Sequence, residues 1–137
     1  MILMDGRKVS QSILSDLRVE VEELARAGVD PKLAVILVGD NAASLSYIRQ
    51  KHKACEATGI LWEQFDFDQA VTEEELIAKI EELNSDDSVH GILVQLPLPE
   101  GVYAPRVLKA IKPSKDADGF TAYNLGKMFL STEFEHL

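Results

Sequence analysis

The stretch LAVILVGDN, residues 33–41, decides the fold class of this chain. Its first part, residues 33–38, is an unbroken apolar run, which is typical of a β-strand that is buried on both faces. Such strands occur in parallel sheets, because the helices that connect parallel strands cover both faces of the sheet. The Gly39-Asp40-Asn41 segment that follows ends the predicted strand in a turn.

Further strands and helices are indicated on either side of this stretch. Residues 91–96 (GILVQL) read as a second buried strand, and residues 62–67 alternate weakly as a third. Apolar residues at helical spacing mark three helices, one through Val9, Ile13, Leu17, Val21 and Leu24, one through Leu45, Ile48 and Cys55, and one through Leu76, Ile77, Ile80 and Leu83. Residues 105–111 predict a short fourth helix. This alternation predicts a three-layer α/β/α domain with a mainly parallel sheet of about four strands.

The ends of these helices carry capping residues. Asp5 is placed to cap the first helix, and Gly28 and Gly59 are placed just after the first and second helices. Thr72 and Glu75 form a capping box at the start of the third helix.

Composition and charge exclude several classes of protein. The chain has 137 residues, of which 46% are hydrophobic and 27% charged, as in a single folded domain. Its 14 basic and 23 acidic side chains give a formal net charge of -9, so we expect no nucleic acid partner. No apolar segment approaches the length of a signal peptide core or a membrane span, so we expect no membrane partner.

The reactive side chains are sparse. Cys55 is the single cysteine, which excludes an intrachain disulfide framework and favours a reducing, cytoplasmic location. On the apolar side of its helix, Cys55 fits a core position better than a nucleophile. His52, His90 and His136 are scattered, so we expect no metal site.

Polar residues at two places stand out as candidates for catalysis or binding. Tyr47 and Lys51 are four residues apart, so on a helix they share one face and can reach a common ligand; the alternative is an ordinary surface pair. Gln95 is an amide at the end of a buried apolar run, where an unpaired polar group is costly. Ligands of open α/β sheets bind beyond the carboxyl ends of strands, where Gln95 and Gly39 are expected. The alternative is that Gln95 only hydrogen-bonds backbone.

A third candidate is the segment KDADG, residues 115–119. Its two carboxylates stand beside a glycine, an arrangement that suits a tight loop presenting one acid to a ligand. A carboxylate can accept two parallel hydrogen bonds from an amidine-like pair of N–H groups. Ordinary turn formation by Asp and Gly is the alternative.

Three segments together resemble one family. They are VGDNAASLSYIRQKHKACEATGI (38–60), GILVQLPLP (91–99) and KDADGF (115–120). In order and spacing they are similar to the bifunctional methylenetetrahydrofolate dehydrogenase/methenyltetrahydrofolate cyclohydrolase family, in its N-terminal catalytic domain. The resemblance implies a role in one-carbon metabolism and purine biosynthesis. It implies oxidation of 5,10-methylenetetrahydrofolate by NADP, and hydrolysis of the methenyl product to 10-formyltetrahydrofolate in the same cleft.

The resemblance also implies roles for individual residues. Lys51 would be the catalytic residue of hydrolysis, with Gln95 holding it and Tyr47 packing on the folate. Asp118 would bind the amino and ring N–H groups of the pterin. Three further residues, Val94, Leu96 and Pro97, would line the substrate pocket. The sequence departs from the family pattern at Ala117, where the family usually has valine, and we expect this change to leave Asp118 in place.

The resemblance further implies a domain organisation. Residues 1–130 would form the folate-binding catalytic domain, and residues 131–137 the start of a linker. The family continues with a Pro-Cys-Thr-Pro segment and an NADP-binding Rossmann domain, which this sequence lacks, so we expect no dehydrogenase activity from this chain alone. The full-length protein would be a homodimer.

Three other interpretations match parts of this sequence. A short-chain dehydrogenase also has a Tyr-x-x-x-Lys pair, but it needs a glycine-rich turn near its N-terminus that this sequence lacks. A receiver-like signalling domain needs acidic residues clustered at strand ends, and Asp40, Asp66 and Asp68 are not suitably spaced. A non-catalytic folate-binding or assembly module stays open as the alternative function.

Overall fold

The computed structural model of this chain describes residues 5–130 and confirms the predicted three-layer α/β/α fold. The elements along the chain are α1 (Gly6–Arg26), β1 (Lys32–Val38), α2 (Ala42–Thr58), β2 (Leu61–Phe67), α3 (Glu73–Ser85), β3 (Gly91–Val94), α4 (Ala104–Lys109), a 3-10 turn (Pro113–Lys115) and α5 (Ala122–Leu130). The pattern of apolar residues did not predict α5. The segment predicted as the start of a linker, residues 131–137, lies outside the described residues.

The sheet is parallel, with β1 in the centre of the order β2-β1-β3. Its register pairs Val35 of β1 with Leu93 of β3. One isolated parallel bridge joins Ile92 to Asp116, and the amide of Ala117 donates to the carbonyl of Ile92 at 3.2 Å. In the described part of the chain, the expected sheet of about four strands therefore consists of three strands and this bridge beyond β3.

The two faces of β1 lie in two separate hydrophobic cores. The larger core contains Ala34, Ile36 and Val38 with Leu76 and Ile80 of α3, Val107 of α4 and Ile111, which follows α4. The smaller core contains Val35 and Leu37 with Ile48 of α2 and Leu93 of β3. Strand β1 is buried on both faces because helices cover both. Helix α1 packs on α2, and Val21 is its buried residue.

The predicted capping residues are confirmed. The Asp5 side chain accepts hydrogen bonds from the first amides of α1, and Gly28 and Gly59 follow α1 and α2 with positive φ angles. Thr72 and Glu75 make both hydrogen bonds of a capping box at α3. Among residues 5–130, no helix combines the length and apolar character that crossing a membrane requires.

Candidate active site

The turn between β1 and α2 sets the position of the helix that carries Tyr47 and Lys51. Gly39 has a φ of 72°, and its amide donates to the carbonyl of Phe67 at 2.8 Å. The side chain of Asn41 then caps α2 by accepting hydrogen bonds from the second and third residues of the helix at 3.0 and 3.2 Å. These contacts fix the start of α2 at the carboxyl edge of the sheet.

Tyr47 and Lys51 lie one turn apart on the same face of α2, as their spacing predicts. Ile48, beside Tyr47, is buried in the smaller core with Leu93 of β3. His52, beside Lys51, packs on Trp62 of β2 with ring centroids 5.0 Å apart, so α2 contacts residues of both outer strands. The side chain of Tyr47 is 60% exposed, whereas Lys51 is half-buried. Among residues 5–130, neither side chain has a hydrogen-bond or ion-pair partner, so both remain available to a ligand.

Gln95 follows the last residue of β3 and is held there by its backbone. Its amide donates to the carbonyl of Ile36 at 2.9 Å, and its side-chain Nε2 donates to the carbonyl of Leu96 at 2.7 Å. The side-chain Oε1 is buried and has no hydrogen-bond partner within the described structure. Backbone hydrogen bonding therefore satisfies Nε2 of this side-chain amide but leaves Oε1 without a partner. A buried acceptor without a partner costs about 1–3 kcal/mol, which a donor from a ligand or from a side chain that moves can offset.

The residues predicted to line the pocket differ in exposure. Val94 is 2% exposed and its side chain packs in the larger core, so only its backbone is left for a ligand. Leu96 is half-buried beside an apolar cavity of about 500 Å³ formed with α4 and α5. Pro97 is exposed and lines a different cavity of about 430 Å³ together with Asn41 and Gln69.

The two acids of the loop at residues 115–119 have opposite surroundings. Asp118 is exposed, and within residues 5–130 its side chain takes part in no hydrogen bond or ion pair. Asp116 is half-buried and accepts hydrogen bonds from the amides of Phe120 and Thr121 at 3.3 and 2.7 Å and from Nδ2 of Asn124 at 3.0 Å. The sequence pattern predicted that one of the two acids faces a ligand, and the resemblance named Asp118, but neither gave a sign that Asp116 shapes the loop.

The hydrogen bonds of Asp116 also decide its charge. Burial raises the pKa of a carboxyl group, but hydrogen bonds from Thr121, Asn124 and Phe120 stabilise the ionised form of Asp116 and bring its pKa below the ordinary value. Asp116 is therefore ionised at neutral pH. Burial raises the pKa of the Cys55 thiol, and Cys55 is 6% exposed, which confirms the interpretation of this residue as part of the core.

The candidate residues are spread over α2, the end of β3 and the loop beside β3 rather than gathered in one closed pocket. Gln95 is at the carboxyl end of this strand, whereas the bridge to Ile92 places Asp116, two residues before Asp118, beside its outer edge. Three residues of strand separate the two positions, which corresponds to about 10 Å. A cavity of about 680 Å³ lies next to the loop and is lined by Asp118, but not by Tyr47, Lys51 or Gln95. An elongated ligand along β3 can reach both ends.

The fold and these residues define a class of protein: an open parallel α/β domain with unpartnered polar groups beside β3 and at its carboxyl end, where such domains bind substrates. A family model for the catalytic domain of tetrahydrofolate dehydrogenase/cyclohydrolase matches residues 4–118. The chain belongs to this family, which confirms the resemblance seen in the sequence.

Individual relatives give the same result. The "Bifunctional protein FolD" of Magnetococcus marinus is 49% identical over 127 residues, which are 92% of this chain and 45% of the relative. The protein of the same name from Nautilia profundicola is 44% identical over 128 residues, which are 93% of this chain and again 45% of the relative. The chain thus spans less than half the length of the curated relatives it matches.

Solved structures match the fold closely. The bifunctional enzyme FolD, methylenetetrahydrofolate dehydrogenase/cyclohydrolase, from Campylobacter jejuni superposes with a TM-score of 0.93 at 46% identity, covering 95% of this chain and 46% of that one. The dehydrogenase-cyclohydrolase from Trypanosoma brucei, solved with NADP cofactor and an inhibitor, gives a TM-score of 0.88 at 36% identity, covering 93% of this chain and 43% of that one.

Proposed function

We propose that residues 1–130 are the folate-binding catalytic domain of a cytoplasmic enzyme of one-carbon metabolism. The full-length enzyme oxidises 5,10-methylenetetrahydrofolate with NADP and hydrolyses 5,10-methenyltetrahydrofolate to 10-formyltetrahydrofolate. Membership of the family supports this proposal. The structural observation that carries it is the buried, unpartnered Oε1 of Gln95 beyond β3, because such an oxygen needs a donor.

Lys51 and Gln95 are the residues that act in hydrolysis. The amine of Lys51 has N–H donors that suit the unpartnered oxygen of Gln95 and a lone pair that can take a proton. Water adds to the methenyl carbon, and Lys51 takes the proton that the attacking water loses. The bond between this carbon and N5 then breaks as the hydroxyl group on the carbon releases its proton to solvent. N5 receives the proton that Lys51 took from the water, and the formyl group stays on N10. Gln95 holds the lysine in the orientation that these transfers require.

Tyr47 and Asp118 bind the folate at two different places. The exposed ring of Tyr47 is free to pack on the folate, and its position on the face of Lys51 brings the folate to the catalytic lysine. The free carboxylate of Asp118 accepts two hydrogen bonds from the amino and ring N–H groups of the pterin. Leu96 and Pro97 contribute the walls of the pocket, and Val94 contributes its backbone.

The described residues do not fit an NADP site of their own. A dinucleotide fold binds the pyrophosphate at a glycine-rich turn that leads into a helix N-terminus with free amides. At the corresponding turn here, the side chain of Asn41 already occupies two amides of α2, and Asp40 adds a negative charge. We therefore assign the hydride-transfer step to the full-length homodimeric enzyme and derive no part of it from these residues.

Replacing Lys51 with methionine tests the proposal. The long apolar side chain keeps most of the volume of lysine but cannot transfer protons, so we expect hydrolysis of methenyltetrahydrofolate to slow by roughly 100-fold or more. The decay of methenyltetrahydrofolate absorbance measures the rate. Lys53→Met, on an exposed position of the same helix, is the matched control and should leave the rate unchanged. Equal rates for both variants would exclude Lys51 from catalysis.

Calorimetric titration with tetrahydrofolate separates an enzyme from a binding module. Binding together with hydrolysis that depends on Lys51 supports the proposed enzyme. Binding by the unaltered chain without any hydrolysis favours the non-catalytic module. Absence of both would exclude a folate site in this chain.

A further inference from the structure

The loop that carries Asp118 is held by contacts on both sides of this residue. Asp116, two residues before it, binds the amides of Phe120 and Thr121, so the carboxylate closes the loop around Asp118 and Gly119. The φ angle of Gly119 is 69°, which allows the sharp reversal that this closure needs.

Helix α5 is fastened to the same loop. Nδ2 of Asn124 donates to Oδ2 of Asp116 at 3.0 Å and to the carbonyl of Pro113 at 2.9 Å, so one side chain joins the two ends of the segment before Asp118. Thr121 is 5% exposed, and the amide of Asn124 donates to its hydroxyl at 3.4 Å. The loop and the first turn of α5 thus form one hydrogen-bonded unit.

Lys115 attaches this unit to the body of the domain. Its Nζ donates to the carbonyl of Leu83 at 2.9 Å and to the carbonyl of Asp86 at 2.7 Å, both at the C-terminal end of α3. The last carbonyl groups of a helix lack partners within the helix and carry partial negative charge, so a lysine is well suited to them. The segment before Asp118 is therefore anchored to a helix whose other side lies in the larger core.

We propose that Lys115 and Asp116 are positioning residues, which hold the loop so that the Asp118 carboxylate stands free and correctly placed to bind the substrate. This inference rests on the proposed function, because it takes the pterin edge of a folate as the ligand of Asp118. A loop that is ordered before binding loses less conformational entropy when the ligand arrives. These two roles explain why two acids so close in sequence have such different surroundings. The Asp116 carboxylate is hydrogen-bonded within the loop, whereas the Asp118 carboxylate is left for the ligand.

A double-mutant cycle on tetrahydrofolate binding tests whether Asp116 acts through Asp118. We expect Asp118→Asn and Asp116→Asn each to weaken binding by roughly tenfold in calorimetric titration, the scale of a lost hydrogen bond to a charged group. When Asp118 is already asparagine, the additional Asp116→Asn change should weaken binding by less than about twofold. Lys115→Met should behave like Asp116→Asn in both backgrounds. Fully additive losses would mean that Asp116 and Lys115 only stabilise the fold, and would overturn the inference.

Amide hydrogen exchange provides a second readout that needs no ligand. In Asp116→Asn, the amides of Phe120 and Thr121 should exchange roughly tenfold faster, while amides of β1 keep their protection. Lys112→Met is the matched control, because Lys112 Nζ donates to the carbonyl of Asn84 at the same end of α3 at 2.9 Å. This control should leave both the loop amides and tetrahydrofolate binding unchanged.

The two experiments distinguish failure of the inference from failure of the proposed function. Unchanged loop exchange in Asp116→Asn overturns the inference whether or not the chain binds tetrahydrofolate. An unaltered chain that binds no tetrahydrofolate refutes the proposed function, and loop exchange then still decides whether Asp116 holds the loop. Faster loop exchange together with non-additive binding losses supports both.

Discussion

At the scale of single residues, Gln95 combines a structural cost with a proposed functional role. Its Oε1 is buried without a partner in the described structure, while its Nε2 is satisfied by the carbonyl of Leu96. Groups kept in an unfavourable state by the surrounding fold are common at functional sites, because there the missing partner is supplied by the ligand or the catalytic group. A residue with a purely structural role would have both of its polar ends satisfied.

The change Gln95→Met separates stability from activity. Methionine has a similar length and removes the unpartnered oxygen, so the free energy of unfolding should stay within about 1 kcal/mol of the original value or rise above it. Hydrolysis of methenyltetrahydrofolate should fall by roughly tenfold or more, since Lys51 loses its partner. Urea unfolding and the hydrolysis assay give the two measurements.

The opposite result is equally informative. If Gln95→Met lowered the free energy of unfolding by well over 1 kcal/mol and left hydrolysis intact, the amide would be structural after all. Gln64→Met is a suitable control, because Gln64 is an equally half-buried amide on β2, and its change should leave hydrolysis unaffected.

At the scale of elements, the turn after β1 depends both on the backbone conformation of Gly39 and on its contact with Gln69. Gly39 has a φ of 72°, and a Cβ atom added there would come within 2.8 Å of Cγ of Gln69, in the turn that follows β2. The turn therefore excludes a side chain for two reasons, backbone strain and contact. Because α2 begins three residues later, any displacement of the turn also displaces Tyr47 and Lys51.

The substitution Gly39→Ala should lower the free energy of unfolding by about 2–3 kcal/mol, from the left-handed backbone and the contact with Gln69 together. Gly28→Ala is the matched control, since Gly28 has a φ of 85° with no atom within 4 Å of an added Cβ, and it should lose only about 1 kcal/mol. Equal losses in urea unfolding would show that Gln69 yields without cost. If adding Gln69→Ala to the Gly39→Ala variant restored its stability, the contact between these two residues would account for the loss.

Most elements could be predicted because their signals are local. The apolar run of β1, the helical spacing of α1 to α3 and the capping residues Asp5 and Thr72 depend on neighbours within a few positions of the sequence. Helix α5 was missed although its apolar residues fall mainly on one side, because the helix is short, contains Gly126 and buries none of its residues in a core. The sequence signal that could have found α5 is Thr121, whose hydroxyl accepts a hydrogen bond from the amide of Asn124.

The candidate site could be predicted only in part, because some of its contacts join residues that are far apart in the sequence. The shared face of Tyr47 and Lys51 follows from their spacing on one helix. The contact between Gly39 and Gln69 and the anchoring of Lys115 at the end of α3 join segments about 30 residues apart, and no short-range pattern encodes them. Family resemblance supplied Asp118 as a ligand residue, but the role of Asp116 emerged only from its hydrogen bonds.

At the scale of the whole molecule, charge and helix capping make the described chain a poor partner for a dinucleotide. The formal net charge of -9 opposes binding of an anionic cofactor unless cations are gathered at one site. The starts of α1, α2 and α3 are capped by Asp5, Asn41 and Thr72, so their first amides are already partly used. The pterin end of a folate, in contrast, carries no phosphate and presents N–H groups that an acidic side chain can bind.

These properties predict that the 137-residue chain does not reduce NADP when it is mixed with 5,10-methylenetetrahydrofolate. Hydride transfer requires a cofactor held against the substrate, and the described residues offer no fitting site for one. The absorbance of reduced nicotinamide measures the reaction, with the Campylobacter jejuni enzyme as a positive control under the same conditions. Reduction at a rate comparable to that control would contradict the prediction and require an NADP site on this chain. Tetrahydrofolate binding without NADP reduction would instead confine the function of this chain to the folate side of the reaction.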